Sequence, residues 1–62
     1  MCLSTIYNKT QAAENTLIKN VQSIRIEKDL LLFTDLLERV HEYRGRLVSA
    51  DLVNGCVIVD LD

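Results

Sequence analysis

The chain has 62 residues, no proline and a net charge of −2, with Lys, Arg, Asp and Glu mixed along its length. Without a basic stripe to collect phosphates, nucleic-acid binding is disfavoured. The longest apolar runs, residues 30–33 and 56–59, are far too short to span a bilayer as a helix. No charged segment followed by an apolar stretch opens the chain, so no signal peptide is expected and the cytoplasm is the expected compartment. Thiols stay reduced there, and the two cysteines read as metal-binding or inert before they read as a disulfide.

Residues 1–62 read as one small domain, in which only about 60% of the unfolded surface is buried on folding. Leu, Ile and Val dominate its apolar content. So much apolar surface on so short a chain predicts a packed domain that pairs with a second copy of itself to complete its core.

In chain order, residues 2–8 alternate, with Leu3, Thr5 and Tyr7 on one side and Cys2, Ser4 and Ile6 on the other, which predicts a strand. Residues 9–15 are polar with two alanines and read as a loop or a turn of helix. Residues 16–27 carry Leu17, Ile18, Val21, Ile24 and Ile26, and their second half alternates as a strand. Residues 30–34 form an apolar run that suits a strand buried on both faces, with Lys28 and Asp29 making the turn before it. Residues 34–44 are ambiguous. Leu36, Leu37, Val40 and Tyr43 have helical spacing, with Thr34 as a cap and Gly45 as a stop. A short helical turn near residues 35–38 followed by a strand through Val40, Glu42 and Arg44 suits the neighbouring strands better, with Gly45 as a hairpin turn or bulge.

Asn54-Gly55 lies between two β-rich runs and predicts a two-residue type I′ hairpin. That turn would set Val53 opposite Cys56, Leu52 opposite Val57, Ala50 opposite Val59 and Val48 opposite Leu61. The last three pairs place apolar residues on one face. The sum is an all-β fold, a small SH3-like or OB-like antiparallel barrel of five to six short strands.

Cys2 is the candidate with chemistry. A thiolate is a strong ligand for late first-row metals. Its neighbour, the α-amino group of Met1, has a pKa of about 7.7–8.0 and so offers a neutral nitrogen near physiological pH. Sulfur and nitrogen donors in a plane suit Ni(II), whereas Zn(II) takes a tetrahedron. One cysteine cannot fill four positions, and two copies meeting at a twofold axis supply two thiolates and two nitrogens. Cys56 reads as a buried or dimer-facing structural cysteine. His41, the only histidine, reads as a surface residue with metal ligation as its lesser role. Asp60 and Asp62 read as solvated carboxylates, and Tyr7 and Tyr43 as packing residues. Catalysis is not expected, since a nucleophilic Cys2 would have only His41 as a base and 62 residues leave little room for a cleft.

The opening Met1-Cys2-Leu3-Ser4-Thr5-Ile6-Tyr7, the Ile24/Ile26 strand, the run at residues 30–33 and the segment Gly45-Arg46-Leu47-Val48-Ser49-Ala50-Asp51-Leu52 with its hairpin resemble the CooT family across essentially the whole chain. The resemblance implies a nickel-binding accessory protein of carbon monoxide dehydrogenase maturation, with the metal on the cysteine after the initiator methionine, here Cys2. It also implies a maturation partner, either the dehydrogenase or its nickel-insertion machinery. The chain departs from the family at Leu36-Leu37-Glu38-Arg39, where an apolar–Phe–Gly–Glu turn is usual. A Met-Cys start is typical of the HypC hydrogenase-maturation chaperones as well, but this chain is shorter and lacks their proline-glycine element. The competing reading is accordingly a HypC-like interaction module that docks on a maturation partner without metal.

Overall fold

A computed structural model describes residues 3–62. Five strands follow one another along the chain: β1 (Ser4–Asn8), β2 (Thr16–Glu27), β3 (Leu30–Asp35), β4 (Val40–Asp51) and β5 (Cys56–Leu61). A single 3-10 turn, Ala13–Asn15, lies in the loop before β2. The strands close into a barrel in the order β1-β2-β3-β4-β5. The pairs β1–β2, β2–β3, β3–β4 and β4–β5 are antiparallel, and the ring is closed by β1 running parallel to β5.

Two strands are not short. β2 and β4 have 12 residues each, and each serves two neighbours. β2 pairs with β1 through Val21 and with β3 from Val21 onward. β4 pairs with β3 over residues 40–44 and with β5 over residues 45–51. Gly45 is therefore neither a hairpin turn nor a helix stop. It is the point where β4 changes partner, opposite Leu61. A side chain there has no room, since a Cβ would meet the Asp60 carbonyl and stand 2.8 Å from the Leu61 Cα.

The core follows the alternation. Ile6, Ile18, Val21, Leu31, Phe33, Val57 and Val59 are buried, and Leu17, Ile24, Tyr43 and Leu61 pack around them. Phe33 meets Tyr43 at 6.0 Å between ring centroids with the rings tilted by 53°, a favourable aromatic geometry. In β3 only one face is sealed. Leu31 and Phe33 are fully buried, while Leu30 and Leu32 are half-buried on the outer face, paired with Glu27 and Arg25 of β2.

The β2–β3 turn is Lys28-Asp29 as expected, with Lys28 at φ 58°. The last hairpin differs from the two-residue turn. β4 ends at Asp51, which pairs with Cys56, so the loop has four residues and the register moves by two, with Ala50 opposite Val57. The cause is the Asp51 side chain. It accepts the Asn54 amide at 3.1 Å and the Asn54 side-chain nitrogen at 2.8 Å, folding residues 51–54 into their own turn. Asn54 lacks the positive φ that type I′ needs, and only Gly55 has it, at 67°. The shift of two holds as far as Ile58 and becomes three past the bulge at Val48, which sets Leu47 and not Ala50 opposite Val59 and Gly45 and not Val48 opposite Leu61. Val57 and Val59 still face inward.

Candidate functional site

Met1 and Cys2, the expected metal donors, lie outside the described residues. What the structure does describe is the surface where the chain enters the barrel. Leu3 and Ser4 run beside the turn that starts β5, and the Thr5 amide donates to the Gly55 carbonyl at 2.8 Å. Approach is close enough that a Cβ at residue 55 would lie 2.8 Å from the Leu3 carbonyl oxygen. Gly55 is thus required twice, by its φ and by this contact. Ser4 is buried and forms one wall of a groove of about 310 Å³, together with Val21, Gln22, Ser23, Ile24 and Leu52.

Cys56 is a free, half-buried thiol. The register sets it between Thr5 on β1 and Asp51 on β4, on the outer face opposite in sense to Val57. It belongs to the wall of the barrel and not to its core.

The densest polar cluster was not singled out from the sequence. Asp35 ends β3 on the inward-facing side and is only 5% exposed. Its Oδ1 accepts the backbone amides of Leu37 at 2.9 Å and Arg39 at 3.0 Å. Its Oδ2 accepts Arg39 Nε at 3.1 Å and stands 2.9 Å from His41 Nε2. The His41 bond, then the Arg39 amide, hold the Asp35 carboxyl at about 2, below its ordinary 3.8. His41 therefore does not stand free on the surface. It is half-buried beside Phe33, its partner on β3, with one ring nitrogen occupied. The signal available in the sequence was an Asp directly before Leu36-Leu37, the pattern of an Asx turn.

Residues 35–39 form this cluster's turn without becoming helical. The Glu38 amide donates to the Asp35 carbonyl and the Asp35 amide to the Arg39 carbonyl, both at 3.0 Å. Glu38 takes φ 63°. This is a three-residue hairpin loop with a left-handed third position.

Of the two terminal carboxylates, that of Asp60 is engaged in structure, while Asp62 is exposed, as expected of a solvated carboxylate. Asp60 pairs with Lys9 and, at 3.4 Å, with Arg46, and the Lys9 ammonium holds its carboxyl below the usual range. The Asp62 amide donates to the Arg44 carbonyl at 3.1 Å. Tyr7 is half-buried between Thr16 and Ile58. Among the described residues, no group of three or more His, Cys, Asp or Glu side chains is arranged to hold a metal ion. No helix among them is long and apolar enough to cross a membrane.

The family model described as CO dehydrogenase accessory protein CooT matches residues 1–60. No curated protein matches the chain.

Proposed function

Because the chain belongs to the family of CO dehydrogenase accessory proteins CooT, we propose that it binds one nickel ion as cargo through Cys2 and supports nickel insertion into carbon monoxide dehydrogenase in the cytoplasm. The family match, which includes Cys2, carries this reading. Donor chemistry supports it. Thiolate and amine nitrogens from the start of the chain form a donor set that Ni(II) favours in a plane. No cluster of three ligating side chains among the described residues competes with them.

One thiolate and the Met1 amine leave the coordination half filled, and a second copy supplies the rest in this reading. The ion is then shared by a homodimer, at one metal per two chains. Thiol and amine must each lose a proton to bind, so affinity falls as the pH drops. The Asp35 cluster has no ligating part in this proposal. Its role is to hold the hairpin at residues 35–39, since both carboxylate oxygens are already occupied.

Nickel titration of the purified protein tests the proposal. Sulfur-to-nickel charge-transfer absorption should grow to a plateau at half an equivalent per chain, vanish in Cys2→Ser and persist in Cys56→Ser. The alternative, a docking module without metal, draws support from the exposed Leu36, Leu37, Leu52 and Val53 in two loops. It predicts no charge-transfer band in the wild type.

A further inference from the structure

Asn54-Gly55 is the chain's single asparagine–glycine pair, and it lies in the loop between β4 and β5. In such a pair the main-chain nitrogen after asparagine comes within reach of the side-chain carbonyl carbon, and glycine has no side chain to hinder its attack. Asn54 is exposed. The Gly55 amide donates to no backbone carbonyl among the described residues, so that nitrogen is not held elsewhere in the backbone. The fold also keeps glycine in this place, since residue 55 takes φ 67° and a Cβ would lie 2.8 Å from the Leu3 carbonyl oxygen.

Ring closure joins the Gly55 nitrogen to Asn54 Cγ and breaks the Cγ–Nδ2 bond. Nδ2 leaves as ammonia, taking up the proton lost by the Gly55 amide. Water then opens the cyclic imide on either side. Attack at Cγ restores the main chain and leaves an aspartate. Attack at the main-chain carbonyl leaves Gly55 linked through Cγ, an isoaspartate whose backbone is one methylene longer. Either product adds one negative charge to a chain whose net charge is −2.

Asp51 governs the pace. Its carboxylate accepts the Asn54 amide at 3.1 Å and Asn54 Nδ2 at 2.8 Å, which holds the side chain in the turn. The same bonds keep the Asp51 carboxyl below its ordinary range and so ionised. A fixed negative charge beside the Asn54 amide opposes the charge that builds on Oδ1 during attack. After conversion two carboxylates face each other where a carboxylate met an amide, and they repel. The strain falls on Gly55, whose carbonyl accepts the Thr5 amide at 2.8 Å.

We propose that Asn54 converts spontaneously to isoaspartate and aspartate, that Asp51 slows the conversion, and that conversion loosens the start of β1 at Thr5. No metal and no second copy takes part, so this stands or falls separately from the nickel reading.

Incubation of the metal-free wild-type protein at mildly alkaline pH provides the test, followed over time by peptide mapping and enzymatic methylation of isoaspartate. A mass gain of one dalton should build up at Asn54 and not at Asn8, Asn15 or Asn20, whose next residues carry side chains. Asn54→Gln should block it. Asp51→Asn keeps an acceptor oxygen for the Asn54 amide but removes the charge. With the core amides still protected, it should speed conversion at least about tenfold, the worth of one charge-assisted hydrogen bond. A role for Asp51 in loop shape alone would leave that variant at the wild-type rate. In the isolated isoaspartyl form the Thr5 amide should exchange at least about tenfold faster than in the unconverted protein. A folded chain that stays unconverted while the urea-unfolded chain converts would overturn the proposal. So would an Asp51→Asn rate equal to that of wild type, or unchanged Thr5 exchange in the converted form.

Discussion

Glu38 occupies the left-handed region at φ 63° in the loop that joins β3 to β4, and replacing it by glycine isolates the cost of that conformation. A side chain with a Cβ loses about 1–2 kcal/mol in this region. Glycine removes that strain but returns about 0.5–1 kcal/mol through the greater freedom of its unfolded chain. The balance for Glu38→Gly is a gain of about 0.5–1 kcal/mol. Glu38 is exposed and makes no ion pair or side-chain hydrogen bond among the described residues, so little else changes. For a domain of this size such a gain raises Tm by roughly 2–8 °C. Urea and thermal unfolding of wild type, Glu38→Gly and Glu38→Ala give the comparison. Alanine keeps the Cβ and should shift stability by less than about 0.5 kcal/mol. If glycine destabilises, or alanine gains as much as glycine, the left-handed assignment at this loop is wrong.

Asp35→Asn should keep the shape of the residue 35–39 loop but weaken its grip, seen as faster exchange of the Leu37 and Arg39 amides. The Asp35 carboxyl sits at about 2 in the folded chain against an ordinary 3.8. Its contribution is therefore complete above the ordinary value and is lost as the pH falls toward 2. Denaturant unfolding across that range should show wild type more stable than Asp35→Asn at pH 6 and equal to it near pH 2. An advantage that survives at pH 2 would refute the role given to the charge. Gly45→Ala forces a Cβ against the Asp60–Leu61 backbone and should cost at least about 2 kcal/mol in urea unfolding. A near-neutral result would mean that β4 does not cross between partners there.

Much of this fold was open to reading from residue patterns, and the failures have specific causes. The strands at residues 4–8 and 16–27 follow from alternation, the one at residues 30–35 from its apolar run, and the Lys28-Asp29 turn from the gap between two apolar runs. The closing hairpin was displaced by two residues because a side-chain cap at Asp51 outcompeted the backbone preference of Asn54-Gly55. The parallel pairing of β1 with β5 left no local trace, since a contact between residues about fifty positions apart depends on closure of the whole ring. Gly45 was read as punctuation because sequence shows its missing side chain but not the Asp60–Leu61 backbone pressed against it. His41 looked like a surface residue among charges. Its inward register opposite Phe33 and its bond to Asp35 appear only once β3 and β4 are paired. Of the candidate site, Cys2 was expected from its position and donor chemistry and lies outside the described residues. The entry surface formed by Ser4, Gly55 and Leu52 required the barrel.

The claim that nickel is held at Cys2 is tested most directly by isothermal titration with Ni(II), run in parallel on wild type and Cys2→Ser. Wild type should saturate near one metal per two chains, release protons and bind more weakly at lower pH, and the serine variant should show no comparable heat. Equal binding by both proteins would contradict the account and move the ion to other donors.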